Sequence, residues 1–250
     1  TPQYFVPPAG NVLQIALPLH PVTPEKLSVW RQQWQSKFFD MPKPRWAVML
    51  GGSSGPFVFN PEKAIRLADW LNQSIQKTGG SVLVTNSPRT SSFSYQAFLN
   101  TLRVPCLPYH WTAGDPDNPY RGYLACADNL VITGESMSML AEATATDTPI
   151  YIYDLSDCPE GLNIGCKPWW RYPHNFRYRP LVHRLAKYIA PQRMKRDVSR
   201  IQKQLVSTGR AAWVGQSGNN PVLTSGSDMQ LVVKRVSLLM KVSTNTNQDS

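Results

Sequence analysis

The sequence predicts an α/β fold, a parallel sheet flanked by helices, on three observations. Its strands read as solid apolar runs rather than alternating ones, the pattern of strands buried on both faces. A helical segment separates each run from the next, as parallel pairing requires. Gly- and Ser-rich loops follow two of the runs, and loops leaving the carboxyl ends of strands line the ligand crevice of an open α/β sheet.

Ala47–Gly52 is the first strand. Pro61–Lys77 is an amphipathic helix, opened by Asn60 and Pro61 and stopped by Gly79 and Gly80, residues with the geometry for those ends. Ser81–Ser87 is the second strand, and a helix follows over Phe93–Leu102. Cys106–Trp111 is the third, leading through the polar loop Ala113–Pro119 to a short helix ending at Ala127. Asn129–Gly134, the helix Ser136–Thr146 and the strand Ile150–Leu155 complete the unit. Right-handed crossovers place the loops after Gly52, Ser87, Trp111, Gly134 and Leu155 on one edge, which is where a ligand should sit. The arrangement is Rossmann-like.

The flanks carry weaker patterns. Thr1–Arg45 holds Pro-rich connectors and one helix, Pro24–Phe38, with Leu27, Trp30 and Trp34 on a shared face. The sequence opens on Thr1 rather than Met, and Thr1–Pro8 lacks the charged and apolar regions of a signal peptide; a processed segment or a whole domain is expected upstream. Arg177–Thr208 reads as two basic helices broken near Pro191, Gly209–Gly226 as loop, Asp228–Val242 as a last helix and 243–250 as a flexible tail.

At 250 residues, 42% hydrophobic and 17% charged, the chain is globular in composition, and no apolar stretch approaches a membrane span. Cys106 and Cys126 sit in apolar contexts that suit free buried thiols, and a reducing compartment is the default. Cys158 and Cys166 are spaced to close a small loop, or to hold a metal had further ligands stood at suitable spacing. The net charge of +10 is local, because 167–210 carries twelve Lys and Arg against one acid, Asp197. Trp169-Trp170-Arg171-Tyr172 and Phe176-Arg177-Tyr178-Arg179 interleave rings with charges there. That pattern suits an anionic membrane surface; a solvated face is the plain alternative, and a nucleic-acid partner is not expected.

Candidate chemistry collects at the strand ends. In Gly51–Gly55 the glycines let backbone approach a phosphate and the serines add hydroxyls, although neither a Walker loop nor GxGxxG is present. Ser136 or Ser138 can cap the following helix and leave amides for a phosphate, so Gly52, Ser53, Ser54, Gly55, Ser136, Met137 and Ser138 form the expected phosphate site. Glu142, six residues past Ser136, can accept from ribose hydroxyls or stand as a solvated helix glutamate. Arg89, His110, Trp111 and Asp154 follow other strands and are possible base or sugar contacts. Asp115 and Asp117 belong to ordinary turn chemistry and predict no metal site. No Ser-His-Asp, HExxH or Cys-His arrangement stands out, which argues against hydrolases.

Leu50–Gly55, Leu83–Thr90, Asp115–Tyr120 and Thr133–Ala143 resemble the corresponding motifs of bacterial relatives of the plant mitochondrial-fission (elongated-mitochondria) family. The same loops resemble the carboxyl-terminal half of GT-B glycosyltransferases, including the enzyme that adds N-acetylglucosamine to the peptidoglycan lipid precursor. That resemblance implies nucleotide phosphates at Gly51–Gly55, ribose at Glu142 and donor sugar near Asp154. The loop after Leu155 lacks that enzyme's glutamine pair, so the sugar's identity does not carry over. It also implies a domain plan: 1–45 a connector from an amino-terminal acceptor domain, 46–176 a nucleotide-sugar-binding domain, and 177–242 helices packed on it. The implied function is the donor-binding part of a metal-independent glycosyltransferase, inactive alone, with a nucleotide mono- or diphosphate sugar as substrate rather than a cofactor. The implied location is cytoplasmic and peripheral on the inner membrane through 167–210, acting on a lipid or glycan acceptor. The alternative is a non-catalytic GT-B-like scaffold for membrane or protein partners.

Overall fold

A computed structural model describes residues 13–15, 17–162, 197–216 and 232–237, with four single positions between 182 and 189. Its elements in chain order are α1 (Pro24–Trp34, continued by the 3₁₀ turn Gln35–Phe38), β1 (Arg45–Gly52), α2 (Pro61–Thr78), β2 (Ser81–Arg89) and α3 (Ser92–Thr101). They are followed by β3 (Cys106–Tyr109), α4 (Tyr120–Cys126), β4 (Asn129–Thr133), α5 (Met137–Ala143), β5 (Ile150–Tyr153), α6 (Val198–Ser207) and β6 (Ala212–Trp213). The strands form one sheet in the order β3-β2-β1-β4-β5-β6, and every pair is parallel. The Rossmann-like fold of the sequence reading is therefore present, with one strand more. β6 lies inside the stretch expected to be loop, because Ala212 and Trp213 pair with Tyr151 and Ile152 at the free edge of β5.

Alternation along β1 divides the core. Ala47 and Met49 face one side with Leu27, Phe38, Tyr123, Leu140 and Ile201. Trp46, Val48 and Leu50 face the other with Leu67, Leu71 and Phe98. Each side buries its residues against helices, as apolar runs of this kind demand. The α1 segment is part of that core: Phe38 is fully buried between Trp34 and Tyr123, and the Arg31 Nε donates to Ala125 O at 2.8 Å.

Side-chain caps fix the helix starts. Asn60 Oδ1 accepts from Lys63 N at 2.9 Å, as the Asn-Pro start predicts, and Ser91 accepts from Ser94 N at 3.1 Å. Helix α5 ends three residues earlier than expected. Thr144 and Thr146 turn their hydroxyls onto the carbonyls of Ala141 and Ala143 at 2.8 and 2.7 Å, local bonds that compete with further helix.

Cys106 and Cys126 are free thiols, half-buried, with burial pushing the Cys106 thiol up to about 11. Cys158 is disulfide-bonded; Cys166 lies outside the described residues. Among the described residues no helix is long and apolar enough to cross a membrane.

Candidate functional site

Strand order reverses between β1 and β4, since β1 leads outward to β2 and β3 while β4 leads to β5 and β6. Loops leaving neighbouring strands at such a point part to opposite faces and open a crevice. Here that point lies between the Gly51–Gly55 loop and Gly134-Glu135-Ser136, which pack closely enough that a Cβ on Gly51 would strike the Glu135 carboxylate. The Gly51 N–H donates to Thr133 Oγ1 at 2.7 Å, tying the two strand ends together beneath it.

The first loop is built on glycine. Gly52 has φ +119°, and a Cβ there would run into the Arg89 carbonyl of the neighbouring strand. Gly55 has φ +58° in open space at the tip of a tight turn, whose base is the reciprocal backbone pair of Ser54 and Phe57, 3.0 Å each way. Ser53 Oγ accepts from Phe59 N at 3.1 Å. Both serines thus serve the loop's own shape. Beneath it the Ser87-Pro-Arg-Thr90 turn clamps β1. Thr90 Oγ1 donates to Leu50 O at 2.9 Å, and Ser87 Oγ donates to Gly51 O.

On the β4 side, Ser136 and Met137 are buried and Ser138 is exposed. The Ser136 side chain makes no cap bond to α5, contrary to the expectation for it. The sequence reading passed over Glu135. Its side chain is fully buried, and neither carboxylate oxygen has a hydrogen-bond partner among the described residues. Arg89 Nη2, on a half-exposed side chain, stands 3.7 Å from Oε1. Burial pushes the Glu135 carboxyl up to about 8, while Thr133, backbone and Arg89 pull the other way. A lone acid between Gly134 and Ser136 at the end of an apolar strand was the available signal.

Glu142 is half-buried, and its Oε2 accepts from the Tyr120 hydroxyl at 2.5 Å. Burial first, then the neighbouring carboxylate, holds the Tyr120 proton on. The solvated-helix alternative therefore gives way to a buried-edge pair. Tyr120 lines a cavity of about 570 Å³ with Trp30, Trp34, Ser87, Trp111 and Arg121, within the range of roughly 300–1,000 Å³ typical of small-molecule sites.

Of the remaining candidates, Trp111 lines this cavity and its N–H donates to Asn86 Oδ1 at 2.6 Å. His110 is exposed, packs on the Tyr95 ring and has Nδ1 3.4 Å from Asn86 Nδ2. Asp154 is engaged within its own loop, accepting from Ser156 N and Oγ at 2.8 Å and from Glu160 N at 3.0 Å. Asp115 accepts from the Tyr109 hydroxyl at 2.6 Å and from Asp117 N at 2.9 Å, as a turn residue does. In the basic segment, Arg210 Nη2, three residues past α6, donates to Thr144 O at 2.6 Å, and Lys203 makes an exposed pair with Glu160 at 3.6 Å. Gln202 Nε2 adds a buried bond to Gly134 O at 2.6 Å, bracing the crevice from behind. The paired rings at 169–179 lie outside the described residues.

The family model described as Mitochondrial fission ELM1 matches residues 4–166, more than half of the chain. Mitochondrial fission protein ELM1 of Arabidopsis thaliana is 30% identical over 152 residues, 61% of this chain and 35% of that protein. An uncharacterized protein of Rickettsia prowazekii (strain Madrid E) is 30% identical over 108 residues, 43% of this chain and 30% of that protein. The chain spans about a third of the length of these curated relatives. Among solved structures, a glycosyl transferase family 9 protein from Veillonella parvula aligns with a TM-score of 0.41 at 10% identity, over 76% of this chain and 53% of that one. With its model match running from residue 4 to residue 166, the chain belongs to the mitochondrial fission ELM1 family.

Proposed function

We propose that the crevice between β1 and β4 binds a nucleotide sugar and that the chain is the donor-binding part of a GT-B-type glycosyltransferase working at a membrane face. The observation that carries this reading is the reversal of strand order, which sets a glycine loop and the start of a helix side by side. Phosphates would lie against Gly52–Gly55 and Ser136–Ser138. The Arg89 guanidinium would supply the charge that a metal ion supplies elsewhere, stabilising the leaving nucleotide. Ribose hydroxyls would donate to Glu142, whose orientation Tyr120 fixes. The acceptor and the catalytic base would come from protein beyond this chain.

A second reading, a scaffold without a donor site, draws on a different observation: Ser53 and Ser54 already spend polar groups inside their own loop. Calorimetric titration with UDP, CMP, GDP and ADP separates the two. The donor reading expects one nucleotide to bind and Glu142→Ala to weaken it about tenfold or more, the loss of a charge-assisted hydrogen bond. The scaffold reading expects no heat with any nucleotide and retention on anionic vesicles regardless of nucleotide.

A further inference from the structure

The 570 Å³ cavity has a wall that the crevice reading leaves without a task. Helix α1 lies outside the strand-helix alternation, yet Trp30, Gln33 and Trp34 line the cavity from it. Two of these are held in place. Trp34 packs against Gly122, where any side chain would collide with its ring. Trp30 carries the Arg121 guanidinium over its ring, 5.3 Å from the centroid, a cation–π contact that fixes a cationic donor at the cavity wall. The other residues used here are Trp111, on the loop after β3, and Tyr120.

Resting on the nucleotide reading of the crevice, we infer that this cavity receives the base of the bound nucleotide and selects a keto base, uracil or guanine, over adenine. Connectivity supports the placement. Ser87 joins the two sites, because its hydroxyl binds Gly51 O under the phosphate loop while the residue lines the cavity. Tyr120 joins them again, because its hydroxyl holds Glu142 while the residue lines the same cavity. A ribose held by Glu142 therefore presents its base toward the indole rings. Indole faces stack any base without regard to sequence. Selectivity must then come from edges. Arg121 has only donors to offer, and a guanidinium meets the carbonyl oxygens of uracil or both O6 and N7 of guanine, whereas adenine sets an amino donor beside its N7 and so offers no bidentate match.

The test is calorimetry of the whole chain with UDP, GDP, ADP and inorganic pyrophosphate, repeated on Arg121→Met and Trp30→Ala. Methionine keeps an apolar stem against the Trp30 ring and removes the donors. The expected result is UDP or GDP binding at least tenfold tighter than ADP. Arg121→Met should erase that preference, Trp30→Ala should weaken all three nucleotides roughly tenfold, and neither should change pyrophosphate binding. Nucleotide binding with the same affinities and ranking in wild type and Arg121→Met would overturn the base assignment and leave the crevice reading standing. A preference for ADP would do the same. Absence of binding by every nucleotide and by pyrophosphate would overturn the crevice reading and this assignment together.

Discussion

Replacing Glu135 with glutamine is expected to stabilise the protein above pH 8 and to change little at pH 4.5. The carboxyl is fully buried, and Thr133, backbone and the Arg89 guanidinium at 3.7 Å offset its charge in part. In the folded chain it holds its proton up to about 8; its ordinary value is 4.5. Between those values the folded state binds more protons than the unfolded state, so stability falls as pH rises through this window and levels off above it. At 1.36 kcal/mol per pKa unit the loss over the whole window approaches roughly 5 kcal/mol, an upper limit because relaxation and water entry soften burial penalties. Glutamine has nothing to ionise. Urea midpoints at pH 5 and pH 9 should differ markedly in the wild type through this group and much less in Glu135→Gln. Equal pH dependence in the two proteins would remove Glu135 from the account.

Gly52→Ala is expected to cost about 3 kcal/mol or more, where Gly55→Ala costs about 1 kcal/mol. Both glycines have positive φ, +119° and +58°. The difference lies in what a side chain would meet. At Gly52 a methyl group would strike the Arg89 carbonyl and the Thr90 amide, backbone atoms pinned by the Thr90 and Ser87 bonds to β1. Relief would require parting β1 from β2 at the mouth of the crevice. At Gly55 nothing lies within 4 Å, and only the left-handed conformation is taxed. Chemical denaturation of the two variants measures the contrast directly; similar losses would mean the β1–β2 junction yields.

The strands that carry the crevice were legible because each is an apolar run bounded by small or polar residues. Val82–Val84 and Leu130–Ile132, all fully buried, are examples. Strand β6 was not legible: two residues cannot establish a period, and Ala212 and Trp213 are strand only because the edge of β5 offers partners. The same distinction divides the site. Gly52, Gly55, Arg89 and Trp111 sit at strand ends, so an alternating pattern was enough to gather them on one edge. Glu135 became significant only through its distance from Arg89, and Tyr120 only through its hydrogen bond to Glu142. Trp30 reaches the cavity from a helix preceding the first strand. No local pattern encodes contacts between residues so far apart in the chain. Conversely, Ser53, Ser136 and Asp154 had the right chemistry for a ligand or a cap. Packing gave Ser53 and Asp154 internal partners and left the Ser136 side chain without a cap bond.

Titration of the ¹⁵N-labelled chain with UDP and GDP, followed amide by amide, tests the donor site most directly. A donor site there gives saturable shifts concentrated at Gly51–Gly55, Ser136–Ser138 and the amides around Tyr120 and Trp111. Saturation without shifts at the two strand-end loops, or no shifts with any nucleotide, would contradict it.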